Sequence, residues 1–170
     1  DAAIGVKVGV NYRGHKNLIG AFYPPYAIVS DTSFLETLDS RQMRSGVGEM
    51  LKMAIVSEPK LFEDIEQHGS NIIDNVFFAD RDEIIRRAAE GELRYIQRDF
   101  NERDLRREVD FGHTFAHYIE DASGYSILHG EAVAMDILIT SHIAMKRGIL
   151  DEKTFQRIVK VEEDLGFPLY

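Results

Sequence analysis

Three short segments carry carboxylate and imidazole side chains in an arrangement that suits metal chemistry. Glu49 lies in SGVGEMLKMAI, His113 in DFGHTFAHYIE and His129 in LHGEAV. One carboxylate and two imidazoles from separate elements are a ligand set that a catalytic divalent metal uses when it keeps an open coordination position. Such a polar cluster is costly to bury unless something binds to it. The sequence therefore predicts a divalent metal site formed by these three residues.

Two more polar residues lie beside the predicted ligands. Lys52 follows Glu49 on the same face of a predicted helix, among small and apolar neighbours. This setting favours an internal site over a surface ion pair. His117 follows His113 by one helical turn, so a helix would place both imidazoles on one face. HxxxH alone is more often a pair of structural histidines, and the metal interpretation depends on its combination with Glu49 and His129.

The front of the chain has the composition of an anion site. Lys7, Lys16 and Asn17 lie among several glycines. Cations and amides on glycine-rich backbone suit a phosphate, although a solvated basic loop has the same composition. Arg106 and Arg107 precede the His113 segment and could reach an anion near the metal, although isolated arginines are more often surface charges.

Composition excludes several classes of protein. The 170 residues carry a formal net charge of −9, which argues against a general nucleic-acid or anionic-membrane surface. The chain has no cysteine, so disulfides and thiolate chemistry are excluded. No apolar run approaches the roughly 20 residues that span a bilayer. We expect a cytoplasmic protein without nucleic-acid or membrane partners. Because the chain begins with Asp1 rather than Met, we also expect it to be part of a longer protein.

The pattern of apolar residues predicts a mainly α domain, 1–170, with a small N-terminal β and loop section. The β region is 4–30, as a hairpin or irregular strands, with 15–25 read as loop because Pro24 and Pro25 block regular structure. Helical periodicity, caps and terminal glycines set the helices. We expect helices over 34–38, 40–56, 59–68, 81–98, 109–123, 129–147 and 151–164.

Taken together, these segments resemble the sugar phosphate cyclases, whose best-known member is 3-dehydroquinate synthase. The resemblance runs nearly end to end. Its segments are DAAIGVKVGVN, HKNLIGAFYPP, SGVGEMLKMAIV, DFGHTFAHYIE and LHGEAVAMDI, in the family's order and spacing. It implies the multi-helix C-terminal metal-binding domain of the dehydroquinate synthase-like fold.

The resemblance also implies cofactors and roles for individual residues. It implies NAD and a zinc or cobalt ion held by Glu49, His113 and His129. It implies that the catalytic residues are Lys7, Lys52 and His117. It implies that the substrate and its phosphate are bound by Asp1, Lys16, Asn17, Arg106, Arg107 and Asp110.

The implied activity is that of a carbon–oxygen lyase that closes a carbocycle. NAD transiently oxidises a ring hydroxyl of a heptulose phosphate and phosphate is eliminated. The reduced cofactor then returns the hydride, the ring opens, and an intramolecular aldol reaction closes the carbocycle. Family members carry an NAD-binding domain before this region and further helices after LGFPLY. We therefore expect the fragment alone to be inactive and the intact enzyme to be a homodimer.

The choice of substrate within the family depends on a few positions. Dehydroquinate synthases usually read GGKTG and place Asn before GHTFGH, whereas this chain has Val6, Lys7, Val8 and Asp110. These residues favour a cyclase of sedoheptulose 7-phosphate, although such cyclases often lack the histidine present here at His117. 3-Dehydroquinate synthase is the alternative, with Arg106 at the offset of the arginine that binds a substrate carboxylate. A metal-dependent alcohol or glycerol dehydrogenase and a non-catalytic helical module are more distant alternatives.

Overall fold

A two-stranded antiparallel hairpin precedes a bundle of helices. The computed structural model describes residues 4–75, 78–99 and 108–168, apart from the side chains of His15 and Lys16. The strands are β1 (Lys7–Tyr12) and β2 (His15–Phe22), and short 3-10 helices cover Thr32–Thr37 and Glu108–Asp110. The α-helices are α1 (Ser40–Ser57), α2 (Pro59–Asp74), α3 (Arg81–Ile96), α4 (Ala116–Ala122), α5 (His129–Lys146) and α6 (Glu152–Asp164). The predicted mainly α fold with a small β section is confirmed.

The hairpin corrects the prediction that 15–25 is loop. Lys7 pairs with Phe22 and Gly9 with Gly20, so the second strand runs through most of that segment. The two prolines follow Phe22 and therefore end the strand without interrupting its hydrogen bonds. Every residue of β1 is exposed.

Caps and glycines explain where the helices begin and end. The Asp39 side chain accepts a hydrogen bond from Gln42 N at 2.8 Å, which confirms the predicted start of α1. Helix α2 continues beyond its predicted end at residue 68. Gly69 lies inside this helix, and Ile72, in the next turn, is buried in the core. A side chain at position 69 would collide with Leu165. Close packing, rather than helix termination, explains this glycine.

The predicted helix over 109–123 is wrong in its first half. The chain forms a 3-10 turn and then a left-handed step at Gly112, which has φ +75°. A Cβ at Gly112 would lie 3.1 Å from side-chain atoms of Val133 and Ile137, so close packing on α5 also favours glycine here. Helix α4 begins only at Ala116. His113 therefore lies on a turn, and the predicted shared helical face with His117 does not exist.

Helices α1 and α5 cross with their backbones in contact. A Cβ at Gly48 would lie 3.0 Å from the Gly130 carbonyl carbon, and a Cβ at Gly130 would lie 2.5 Å from the Ser45 carbonyl carbon. Gly130 N donates a hydrogen bond to Ser45 Oγ at 3.0 Å. At the same crossing Arg41 donates two hydrogen bonds of 2.7 Å to the Glu131 carboxylate. The crossing fixes the start of α5 against the middle of α1.

Helix α5 lies in the core, as its nearly continuous apolar sequence predicts. Ala132, Val133, Ala134 and Ile137 are fully buried. Across the described ranges, none of the helices combines the length and the apolar composition that crossing a bilayer requires.

The helix crossing predicts that two glycine-to-alanine substitutions in α1 and α5 change the free energy of unfolding in opposite directions. Gly130→Ala forces a methyl group into the Ser45 carbonyl and should lower the free energy of unfolding by about 3 kcal/mol. Gly46→Ala is the control, because a Cβ there meets nothing within 4 Å, and it should raise stability by about 0.5–1 kcal/mol. Urea denaturation of the two variants measures both effects. Equal unfolding midpoints would contradict the close crossing.

Glu162 predicts a pH dependence of stability. The residue is fully buried in α6, and neither carboxylate oxygen has a hydrogen-bond partner within the described residues. Burial raises the pKa of Glu162 from 4.5 to about 9. The protonated form therefore stabilises the fold fully below pH 4.5, and this contribution is lost as the pH rises towards 9.

Glu162→Gln should remove this dependence, since glutamine does not ionise. Relative to the unsubstituted protein, the variant should gain free energy of unfolding between pH 5 and pH 8, on the order of a few kcal/mol. Denaturant titrations at several pH values measure the difference. A difference that stays constant with pH would show that Glu162 titrates normally.

Candidate metal centre

Glu49 lies in the middle of α1 with its side chain directed into the protein. Its residue exposure is 9%, and that of Lys52, one turn later, is 2%. Lys52 Nζ lies 2.8 Å from Glu49 Oε2, so the two form a buried ion pair. The surface ion pair considered for these residues is therefore not what the fold contains.

Two imidazoles from other elements face the second oxygen of Glu49. His129 Nε2, from the first residue of α5, lies 3.0 Å from Glu49 Oε1, and His113 Nε2 lies 3.5 Å from the same oxygen. Ligand atoms of a tetrahedral zinc ion, each about 2.1 Å from the metal, are separated by about 3.4 Å. The observed distances match this spacing, and the three ligand atoms all lie within 4.8 Å of one another.

The protonation states also suit a cation. Burial alone would raise the pKa of Glu49, but the hydrogen bond with His129 and the charges of Lys52 and His113 lower it to about 2. Burial lowers the pKa of His113, and Lys52 lowers it further, while Glu49 opposes both. At neutral pH the carboxylate is ionised and the His113 imidazole is neutral, which are the forms that bind a metal. Glu49 Oε2 is paired with Lys52, and Oε1 is buried facing the two imidazoles, so Oε1 is the oxygen that suits a divalent ion.

A second carboxylate, Glu120, lies behind the imidazoles. Glu120 Oε2 is 3.0 Å from His129 Nδ1 and 3.2 Å from His117 Nδ1. Glu120 is 5% exposed, whereas the His117 side chain is 53% exposed. The sequence prediction did not include Glu120. Its spacing of three residues from His117 in a predicted helix was the available signal.

Asp136 was also missed, and it holds the His113 turn in place. It is fully buried in α5, and its Oδ2 accepts hydrogen bonds from the backbone N–H groups of Phe115 and Ala116. Thr140 Oγ1 donates to its other oxygen at 2.8 Å. Asp136 therefore caps the start of α4 from a neighbouring helix. An aspartate within a nearly all-apolar helix was the signal in the sequence, because such a group needs partners.

A cavity of about 340 Å³ lies on the α3 side of Glu49. Its lining is mostly apolar, with Glu92 of α3 as a further acid beside Glu49. Burial raises the pKa of Glu92, Lys52 counteracts this effect and Glu49 adds to it. The volume lies within the range of small-molecule sites.

Two models of known families match this chain. The family model described as 3-dehydroquinate synthase C-terminal matches residues 46–170, and the one described as 3-dehydroquinate synthase N-terminal matches residues 1–45. This chain belongs to the 3-dehydroquinate synthase family of sugar phosphate cyclases. The family membership inferred from the motifs is thereby confirmed. That the chain forms one domain stays a prediction.

Relatives in this family include enzymes of two types. The chain is 39% identical to 2-epi-5-epi-valiolone synthase of Streptomyces hygroscopicus subsp. jinggangensis, a match that covers 99% of the chain and 42% of that protein. It is 38% identical to 3-dehydroquinate synthase of Nitratiruptor sp., covering 99% of the chain and 47% of that protein. The chain therefore spans less than half the length of these relatives.

Solved structures show the same fold. The 2-epi-5-epi-valiolone synthase from Streptomyces hygroscopicus, with NAD+ and Zn2+ bound, superposes with a TM-score of 0.94 at 40% identity, over 100% of this chain and 48% of that one. A 2-deoxy-scyllo-inosose synthase complexed with carbaglucose-6-phosphate, NAD+ and Co2+ superposes with a TM-score of 0.86 at 26% identity, over 100% of this chain and 47% of that one.

Three further predicted site residues, Lys7, Asn17 and Asp110, lie on the hairpin and at the start of the His113 turn. Lys7 and Asn17 are exposed on β1 and β2, and Asn17 adopts φ +54°. The side chain of Asn17 lies over Gly9, where a Cβ would come within 2.8 Å of Oδ1. Asp110 ends the 3-10 turn, and its carbonyl accepts a hydrogen bond from His113 N at 2.9 Å.

Four predicted substrate ligands lie wholly or partly outside the described residues. Asp1, Arg106 and Arg107 lie outside the described residues, as does the side chain of Lys16. Their roles, like those of Lys7, Asn17 and Asp110, stay predictions.

Substitution of the ligands should remove the metal from the intact protein. His129→Ala and Glu49→Gln should each lower the affinity for Zn2+ or Co2+ by about 100-fold or more, because each removes one of three ligands. Glu49→Gln is preferable to Glu49→Ala, since it keeps a polar group beside the buried Lys52. Metal content after dialysis measures the loss.

The matched control for this experiment is Glu66→Gln. Glu66 pairs with Arg157 at 2.6 Å on the surface of α2 and should not affect metal content. Full occupancy in the Glu49 and His129 variants would refute the ligand assignment.

Proposed function

We propose that the intact protein containing this chain is an NAD- and metal-dependent sugar phosphate cyclase whose preferred substrate is sedoheptulose 7-phosphate. The observation that carries the proposal is that two imidazole nitrogens converge on one carboxylate oxygen. Nε2 of His129 and Nε2 of His113 lie 3.0 and 3.5 Å from Glu49 Oε1. The names of relatives and the ligands of the solved structures support the same reaction class. The alternative is a 3-dehydroquinate synthase.

The chain's own residues have separable tasks in this proposal. Glu49, His113 and His129 hold a zinc or cobalt ion. When bound, the ion polarises substrate oxygens and NAD carries the hydride. Lys52 keeps Glu49 ionised through the contact of 2.8 Å and balances its charge in the buried site.

His117 is the residue best placed to exchange a proton with substrate. Its ring lies 5.7 Å from that of His113, and its side chain is half exposed. Nδ1 faces Glu120, so the nitrogen on the opposite side of the ring, Nε2, is the one that we assign to proton transfer. Lys7, Lys16 and Asn17 of the hairpin are the proposed phosphate ligands.

Acidic groups around the centre favour a substrate without a carboxylate. Glu92 lines the cavity beside Glu49, and Asp110 precedes the His113 turn. Carboxylates near the substrate repel a further carboxylate but accept hydrogen bonds from a polyol. A carboxylated substrate would need a paired cation, for which Arg106 is the candidate. The charge of Asp110 supports sedoheptulose 7-phosphate over the substrate of 3-dehydroquinate synthase, while Glu92, whose pKa burial raises, offers hydrogen bonds to a polyol.

A metal-dependent alcohol or glycerol dehydrogenase remains the rival from another reaction class. It predicts NADH that accumulates with a simple alcohol, whereas a cyclase returns the hydride to its substrate. The proposed phosphate ligands of the hairpin support the cyclase. Homodimer formation, a cytoplasmic location and inactivity of the isolated fragment stay predictions.

Comparison of the two substrates on the intact enzyme tests the proposal. We expect phosphate release from sedoheptulose 7-phosphate with kcat/KM at least about 100-fold above that for the carboxylated substrate of 3-dehydroquinate synthase. Asp110→Asn should reduce this ratio by about tenfold, because it removes one repulsive charge.

Three outcomes would contradict parts of this proposal. A preference for the carboxylated substrate that is lost on Arg106→Ala would overturn the substrate and leave the family assignment intact. Net accumulation of NADH would favour a dehydrogenase. Absence of phosphate release from every heptulose phosphate would refute the reaction class.

A further inference from the structure

One buried carboxylate oxygen contacts two imidazoles of different function. Glu120 Oε2 lies 3.0 Å from Nδ1 of His129, a proposed metal ligand, and 3.2 Å from Nδ1 of His117, the proposed proton-transfer residue. The two rings stack nearly parallel, with centroids 5.8 Å apart and an interplanar angle of 12°. Glu120 lies on α4, whose first turn is capped by the fully buried Asp136, so its position is fixed by the core.

The contact determines which imidazole nitrogen carries the proton. An ionised carboxylate only accepts hydrogen bonds, so a neutral imidazole facing it must carry its hydrogen on Nδ1. The lone pair is then on Nε2. For His129 this is the nitrogen that lies 3.0 Å from Glu49 Oε1, within the predicted ligand set. A carboxylate behind a metal-binding histidine sets its tautomer and ring orientation and increases its basicity as a ligand.

We propose that Glu120 is a positioning residue that holds His129 for metal binding and, through the same oxygen, fixes His117 for proton transfer. The inference rests on the proposed function, because it assigns Glu120 a task only if His129 binds a metal. Glu120 therefore connects the proposed ligand His129, on α5, to the proposed proton-transfer residue His117, on α4.

A second metal ion is the competing explanation of this geometry. His117, Glu120 and His129 also offer ligand atoms within 4.8 Å of one another. A second ion would require His129 to bind metals through both nitrogens. The contacts of 3.0 and 3.2 Å to one oxygen instead have the lengths of ordinary hydrogen bonds. The number of ions bound per chain separates the two explanations.

Metal binding by the intact protein provides the first test. Chelator competition should show Zn2+ affinity weakened by about 10- to 100-fold in Glu120→Ala. Glu120→Gln should show a smaller loss, since its amide oxygen still accepts hydrogen bonds but carries no negative charge. Because glutamine keeps the shape of glutamate, it decides the matter if the alanine variant does not fold. Glu162→Gln removes another buried carboxyl, on α6, and should bind Zn2+ as the unsubstituted protein does.

Kinetics at saturating Zn2+ provide the second test. If Glu120 also fixes His117, the Glu120→Gln enzyme should keep a lowered kcat with unchanged KM even when every chain holds an ion. A role confined to His129 predicts that saturation restores kcat. That result would overturn the His117 half of the proposal.

The outcomes separate this inference from the proposed metal centre. If the Glu49 and His129 variants lose the ion but both Glu120 variants bind it with unchanged affinity, only the role of Glu120 is overturned. If the Glu49 and His129 variants keep the ion, the metal centre is misassigned and the proposal for Glu120 falls with it. Two ions per chain, one of them lost in Glu120→Gln, would support the second metal site instead.

Discussion

The close crossing of α1 and α5 is the constraint on which the rest of the site depends. Gly48 and Gly130 let the two backbones touch, and the hydrogen bond from Gly130 N to Ser45 Oγ sets their relative position. Glu49 and His129 are the residues next to these glycines. A larger side chain at the crossing would push the two helices apart, and it would move Glu49 away from His129 at the same time. The backbone contacts that pack α1 against α5 therefore also set the distance between the two proposed ligands.

The other groups complete the site from elements that pack on this pair of helices. Gly112 packs against α5, and Asp136 of α5 caps α4, so the turn that carries His113 is attached to the same helix whose first residue is His129. Lys52 lies one turn after Glu49 and supplies the positive charge that keeps its carboxylate ionised despite burial. The site is thus built on the middle of α1, the first residue of α5 and a capped turn, all held by packed elements, and precise metal geometry requires such support.

Sequence patterns predicted most helices correctly, and the three proposed ligands do lie together in the fold, but the patterns failed where tertiary contacts override local signals. The start of α1 follows from Asp39, a local cap, and was predicted correctly. The prediction ended α2 before Gly69 and placed Gly112 inside a helix, yet packing against distant side chains determines both positions. Glu120 escaped notice because its contact with His129 forms only when α4 and α5 pack together. Motif order identified the family, whereas substrate choice depends partly on Asp1, Arg106 and Arg107, which lie outside the described residues.

The crossing residues lie far apart in the chain, so the proposed ion would also act as a cross-link that stabilises the fold. Ser45 and Gly130 are 85 positions apart, so the neighbouring ligands Glu49 and His129 close a long loop when they share one ion. Closing such a loop restricts the unfolded chain, which is how a cross-link stabilises a fold. The sequence contains no cysteine for a disulfide, and an ion bound by the proposed ligands would supply a reversible substitute. Thermal stability of the protein should therefore follow the concentration of free metal, which makes folding itself a reporter of metal supply.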